Sequence, residues 1–196
     1  MNTFITSYYL NENFKKLDQK RVFKQVLEGV QLLDGIVNNK KSWELHPARL
    51  MWRKNPGALF AYIKFAWEEC KNRKIAVNSK LYLSAETLYL TKVGDDYTKE
   101  QFPLWWGRQD IAASHRSRLR CKGFIDAACV DIKRDLKIKS IDRWLKDKFG
   151  LTKNALKYKH LALLLQTPGV EFKTPSHYEQ FGWTEDPAGE YIWPVS

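Results

Sequence analysis

Between Leu17 and Leu33 the apolar positions recur at helical spacing: Val22, Val26, Val30 and Leu33 form a stripe that Phe23 and Leu27 widen. Arg21, Lys24, Gln25, Glu28 and Gln31 differ by three, four or seven, so a helix gathers them on one polar side. Asp18 precedes the stripe as an N-cap or as a helper of Glu28, and Asp34, Gly35, Asn38 and Asn39 carry the loop chemistry that ends it. Upstream, Phe4, Ile5, Tyr8, Tyr9 and Leu10 form an apolar run that predicts an N-terminus tucked against the core. Downstream, His46-Pro47 marks a boundary. A short helical piece is predicted over Ala48 to Arg53, and Pro56 fits the first turn of a central core helix, GALFAYIKFAWEECKNRKI. LYLSAETLYL, within 76–100, reads as helix. An aromatic loop, Phe102 to Gly107, precedes DIAASHRSRLR, which crowds His115, Arg116, Arg118 and Arg120 into one segment.

Residues 122–173 differ in character. They hold twelve Lys or Arg against six Asp or Glu, so +6 of the chain's +11 lies in about a quarter of its length. Ser140 can cap IDRWLKDKF, Gly150 can close it, and Thr152 can cap KNALKYKHLALLLQ, which together predict a basic helical pair. The tail from His177 is aromatic and turn-rich. The expected fold class is all-α: a helical core from residues 1–121 and 174–196, interrupted by a basic helical insertion at 122–173.

Composition narrows the function. The chain has 196 residues, 44% hydrophobic, so one core is affordable and disorder is excluded. A net charge of +11 with eight tryptophans points to a polyanion, and the aromatic content of 14% favours nucleic acid. Cys70, Cys121 and Cys129 fit neither a disulfide framework nor a metal-ligand spacing. No apolar run approaches a membrane span and MNTFITSYYL lacks signal-peptide character, so the expected location is the cytoplasm. No metal and no cofactor is expected, since neither a Gly-rich phosphate loop nor a metal motif is present.

Several spaced pieces share one pattern: Met1-Asn2-Thr3-Phe4, LDQKRVFKQVLE, HPARLMW at 46–52, SHRSRL at 114–119, HYEQF at 177–181 and YIWPV at 191–195. Together they resemble the bacterial and phage pyrimidine-dimer DNA glycosylases, which are more distantly similar to phage endonuclease V. The resemblance implies a compact all-α fold of the endonuclease V type that bends duplex DNA and displaces a nucleotide. It further implies N-glycosidic cleavage by an amine nucleophile followed by β-elimination, with an essential glutamate on the first helix. Counting without gaps from Leu17-Asp18 puts that glutamate at Glu28. Leu27 stands where the phage enzyme has arginine. The amine is expected from Met1, since Asn2 is not a small residue that permits removal of the methionine; the alternative is attack by water.

The expected partner is double-stranded DNA, bound by a monomer. Phosphate contacts are assigned to Arg21, Lys24, Gln25, His115, Arg116 and Arg118, stacking to Trp105, Trp106, His177, Tyr178, Phe181 and Trp183. His46 is a cap before a proline or a DNA contact, and Trp105 and Trp106 serve packing or a DNA-facing loop. Lys133 and Arg134 form a solvated face or touch phosphates, and Glu28 is a catalytic carboxylate or an ion-pair partner of Lys24. The rival readings are a non-catalytic DNA-binding protein on the same scaffold and a DNA base-modifying enzyme.

Overall fold

The fold is that of a computed structural model, which describes residues 3–94 and 102–194. Among the described residues the regular structure is entirely helical. No helix among them is long and apolar enough to cross a membrane. The chain divides into two compact units: Met1–Ala112 with Ile192–Ser196, and Ala113–Tyr191.

In the first unit α1 (Leu10–Lys15) is followed by α2 (Gln19–Val37), α3 (Pro47–Trp52), α4 (Pro56–Asn72) and α5 (Ser79–Lys92). The capping signals act where the sequence puts them. Asp18 Oδ1 accepts from the Arg21 amide at 3.0 Å, and prolines stand at the starts of α3 and α4. Helix α2 continues past Asp34 and Gly35 to Val37, because Gly35 is buried within it and the chain turns only at Asn38 and Asn39. The unpredicted α1 is held from below by Arg73, whose guanidinium donates to the carbonyls of Phe14 (2.9 Å), Lys15 (2.7 Å) and Leu17 (2.6 Å). Phe14 and Lys15 end α1 and Leu17 lies just beyond it, so one guanidinium ties the end of the short helix and the turn after it to the end of α4.

Helix α2 packs on α4 and α5. Its approach to α4 depends on Gly29: a Cβ there would stand 2.7 Å from Ile63 Cγ1. Helix α5 buries only Tyr82, Ala85 and Tyr89, which explains its weak sequence signal. Those rings form a stack with α4: Phe60 lies 4.6 Å from Tyr89, and Trp67 lies 5.3 Å from Tyr82, each pair 7° from parallel.

Helix α6 (Gln109–Asp135) carries the chain into the second unit and runs unbroken through 121–122. It is followed by α7 (Ile141–Phe149), a 3-10 turn at Lys153–Ala155, α8 (Tyr158–Leu165) and a 3-10 turn at Glu179–Phe181. Ser140 and Gly150 cap α7 as expected. The helix expected from Thr152 to Gln166 is instead broken. Asp142 accepts the Lys153 amide at 3.0 Å, and Leu156 adopts an extended backbone that drops its side chain into the core. That core is built from Cys121, Ile125, Cys129 and Ile132 of α6 with Leu145, Leu156 and Leu164.

The same unit holds a buried carboxylate, Asp131. It accepts the amides of Lys173 and Thr174 (both 3.0 Å) and the Thr174 hydroxyl (2.5 Å), and pairs with Arg134 at 2.6 Å. Asp135 accepts the Glu171 amide at 2.8 Å and pairs with Arg134 at 2.5 Å. The segment that leaves α8 is thereby tied back to the end of α6.

Candidate active site

In the first unit the chain from Thr3 to Thr6 is extended and buried, and its polar groups must find partners inside the protein. The Phe4 amide donates to Gln25 Oε1 at 2.9 Å, and the Phe4 carbonyl accepts from Asn13 Nδ2 at 2.8 Å. The Tyr62 hydroxyl lies 2.5 Å from Gln25 Oε1 and 3.0 Å from the Phe4 carbonyl. Thr3 Oγ1 accepts from Trp52 Nε1 at 2.9 Å, and the Thr6 amide donates to Asn13 Oδ1 at 2.5 Å. The predicted tuck of the N-terminus is thus an ordered polar network that enters the core beside α2.

Gln25 and Glu28 are three residues apart on α2, so the Phe4 anchor sits one helical turn from the Glu28 carboxylate. Glu28 is half-buried. His46 caps α3 through Nδ1, which accepts from the Ala48 amide at 3.1 Å; its neutral ring therefore carries the proton on Nε2. Burial pushes the His46 pKa below the ordinary imidazole range, while the Glu28 carboxylate acts on it in the opposite direction. Trp43 and Trp193 meet the His46 ring edge-on at 5.2 and 6.3 Å. Glu28, Gln25 and His46 thus gather around the buried N-terminal segment. Met1 lies outside the described residues.

Arg21 pairs with Asp18, and Lys24 is exposed on the same helix. Gln25 departs from the polar side that helical spacing gave it. It is 1% exposed, because the helix is rotated so that Val22, Gln25, Val26 and Gly29 all face inward. Trp105 takes the packing alternative: it is buried, donates from Nε1 to the Met51 carbonyl at 3.1 Å and packs on Trp52 at 5.0 Å. Trp106 is half-buried and donates to the Tyr8 carbonyl at 2.9 Å. The two indoles fix a tight turn closed by the Trp106 amide on the Pro103 carbonyl, 2.8 Å. Gly107 has φ 88°, and a Cβ there would meet Tyr8 Cδ2 at 2.7 Å. At the tip of this turn Leu104 is fully exposed.

In the second unit Arg116 pairs with Glu185 at 2.5 Å, and Arg120 donates to the Glu185 carbonyl. The Arg118 guanidinium lies over the Tyr191 ring, 5.4 Å from its centre. His115 and Tyr178 are fully buried, so both are packing residues in place of the exposed contacts read from the sequence. His115 meets Tyr191 edge-on at 5.2 Å, and Tyr178 stacks on Trp183 at 5.3 Å. His177 packs against Tyr178 and Phe181. Lys133 is exposed, whereas Arg134 is committed to Asp131, Asp135 and the Glu171 carbonyl.

The residues that sequence reasoning missed are Thr3, Asn13, Trp52 and Tyr62 as members of the network around Gln25. A signal was present: Val22, Val26 and Gly29 surround Gln25 at helical spacing, and an amide among such neighbours is inward-facing.

Glu28, half-buried on α2, is the position that the sequence resemblance assigns to its glutamate. Residues 1–83 match the family model of pyrimidine dimer DNA glycosylase. The matched stretch includes Glu28, Gln25, His46 and the network that holds Thr3 and Phe4. Comparison with curated proteins gave no match. Comparison with solved structures gave none either.

Proposed function

We propose that this chain is a DNA glycosylase that binds double-stranded DNA as a monomer and excises a damaged or modified pyrimidine after displacing the nucleotide from the stack. The observation that carries the reading is the position of Glu28, one turn from the Gln25 anchor of the N-terminal segment, inside the region that matches the glycosylase family. Departure of a base leaves cationic character on the sugar, and a half-buried carboxylate within reach stabilises it or moves protons. Exposed Lys24 and Lys133 supply phosphate contacts, which together with the +11 charge make binding steeply salt-dependent. Leu104, held out by the anchored indoles beneath it, is the apolar wedge that fills the gap when a nucleotide leaves the stack.

The test is base release from duplexes carrying pyrimidine dimers or hypermodified pyrimidines. Glu28→Gln is expected to slow release by about 10²-fold or more while duplex affinity changes less than about twofold. Unchanged product formation in that variant removes Glu28 from the chemistry. Absence of release from every duplex, with binding intact, favours a non-catalytic DNA-binding protein. Borohydride trapping assigns the nucleophile: a covalent protein–DNA adduct means an amine and strand scission by β-elimination, and base release without an adduct means water.

A further inference from the structure

The three arginines of SHRSRLR are used unequally. Arg116 and Arg120 are both committed to Glu185, one to its carboxylate and one to its carbonyl. No hydrogen bond or ion pair joins the Arg118 guanidinium to another described residue; its Nε is shut off from solvent without a partner, and its charge is held over the face of Tyr191. Such stacking fixes the plane of a guanidinium while leaving its outer N–H groups to a ligand.

What faces Arg118 is a cavity of about 460 Å³ within residues 113–191, lined also by Lys157, Tyr158, Lys159, Glu190 and Tyr191. Its walls are fixed. Leu156, just before α8, and Leu164 within it pack with Cys121 of α6 in one buried cluster, which seats α8 on α6. The Lys157 amide donates to His160 Nδ1 at 3.1 Å, which closes the first turn of α8. Three cations against one carboxylate make the cavity an anion site. Two tyrosines add ring faces of the kind on which a base stacks, and the volume suits a ligand of a few hundred Å³.

We propose that this pocket binds a nucleotide. Arg118, Lys157 and Lys159 take the phosphate, a tyrosine face takes the base, and Glu190 accepts from a ribose hydroxyl or an exocyclic amine. The same chemistry is offered by a free mononucleotide and by an unpaired nucleotide of a strand. The site is independent of the glycosylase reading, since every group in it belongs to the second unit.

The experiment is calorimetric titration of the full-length protein at low salt with AMP, with inorganic phosphate and with the single-stranded oligonucleotide (dT)4. AMP is expected to bind, and phosphate to compete with it. Lys157→Gln/Lys159→Gln, at two exposed positions where folding is not at stake, is expected to weaken AMP at least fivefold; Arg118→Gln is expected to do so at least tenfold with its melting temperature unchanged. Binding of (dT)4 at least tenfold tighter than AMP, with the same sensitivity to the lysine pair, identifies a strand as the source, and comparable affinities identify a free nucleotide. Failure of both AMP and (dT)4 to bind, or equal binding by the wild type and the lysine double variant, overturns the proposal. Glu28→Gln leaves AMP binding unchanged, so this site and the glycosylase site fail separately.

Discussion

Gln25 carries more of the candidate site than its chemistry suggests. Its carbonyl oxygen accepts both the Phe4 amide and the Tyr62 hydroxyl in a buried setting, and replacing it by an apolar residue takes that acceptor from the Phe4 amide, while the Tyr62 hydroxyl keeps the Phe4 carbonyl at 3.0 Å. An orphaned buried group costs about 1–3 kcal/mol. Gln25→Leu is therefore expected to destabilise the first unit by about 1–3 kcal/mol in urea titration and to abolish hydrogen-exchange protection of the Phe4 amide. Tyr62→Phe removes one donor and keeps the acceptor, and is expected to cost about 1 kcal/mol. If Phe4 stays protected in Gln25→Leu, the segment is held by its apolar side chains alone. Residues of this kind are the least legible in a sequence. Helical spacing puts Gln25 with Glu28 and cannot say where the edge of the buried stripe falls. The edge is set by the polar backbone of Thr3 to Thr6, a demand from 20 residues away. Tyr178 and the packing of Trp105 were illegible for the same reason, because an aromatic in a turn-rich stretch looks alike whether it packs or projects.

At the scale of elements, what is local was legible. The caps Asp18, Ser140 and Gly150, the prolines opening α3 and α4, and the all-helical class follow from chemistry within a few residues. What depended on distant partners was not. The end of α1 and the turn after it are held by Arg73, and the helix expected from Thr152 breaks because the core takes Leu156. The contact of α2 with α4 is also non-local, yet one residue controls it. Gly29→Ala gains about 1 kcal/mol of helix propensity but drives its methyl to within 2.7 Å of Ile63 Cγ1, a methylene of a β-branched side chain with little freedom to retreat. A net loss of about 1–3 kcal/mol is expected by thermal or chemical denaturation. Combining it with Ile63→Ala is expected to cost less than the sum of the single changes, and strict additivity would mean that the helices do not press together there.

For the molecule as a whole, the two units have different weak points. The second is tied by carboxylates whose pKa values are depressed. Arg134 and the Glu171 amide hold Asp135 down at about 2. Burial pushes Asp131 up, but the hydroxyl and amide of Thr174, the Arg134 charge and the Lys173 amide outweigh it, and the net direction is down. A carboxyl in the unfolded chain titrates near roughly 3.9, so this stabilisation is complete above about pH 4 and is lost as the pH falls through the folded values. The second unit is therefore expected to loosen between about pH 4 and pH 2, seen as loss of hydrogen-exchange protection in α6–α8, and Asp131→Asn is expected to flatten that dependence. Persistence of full protection to pH 2 would place the stability of the unit in its apolar core alone. The division into units was only partly open to sequence reading, since the charge excess of 122–173 is visible but the continuity of α6 is a property of packing.

The buried segment at Thr3 to Thr6 also imposes an order in time. Those residues are synthesised before Asn13, Gln25, Trp52 and Tyr62, which satisfy their buried polar groups, and Tyr62 follows Phe4 by 58 positions. Asn13 and Gln25 offer the backbone its first partners as α1 and α2 emerge, but the Tyr62 hydroxyl comes only with α4. The neighbourhood of Glu28 is thus completed only after α4 is made.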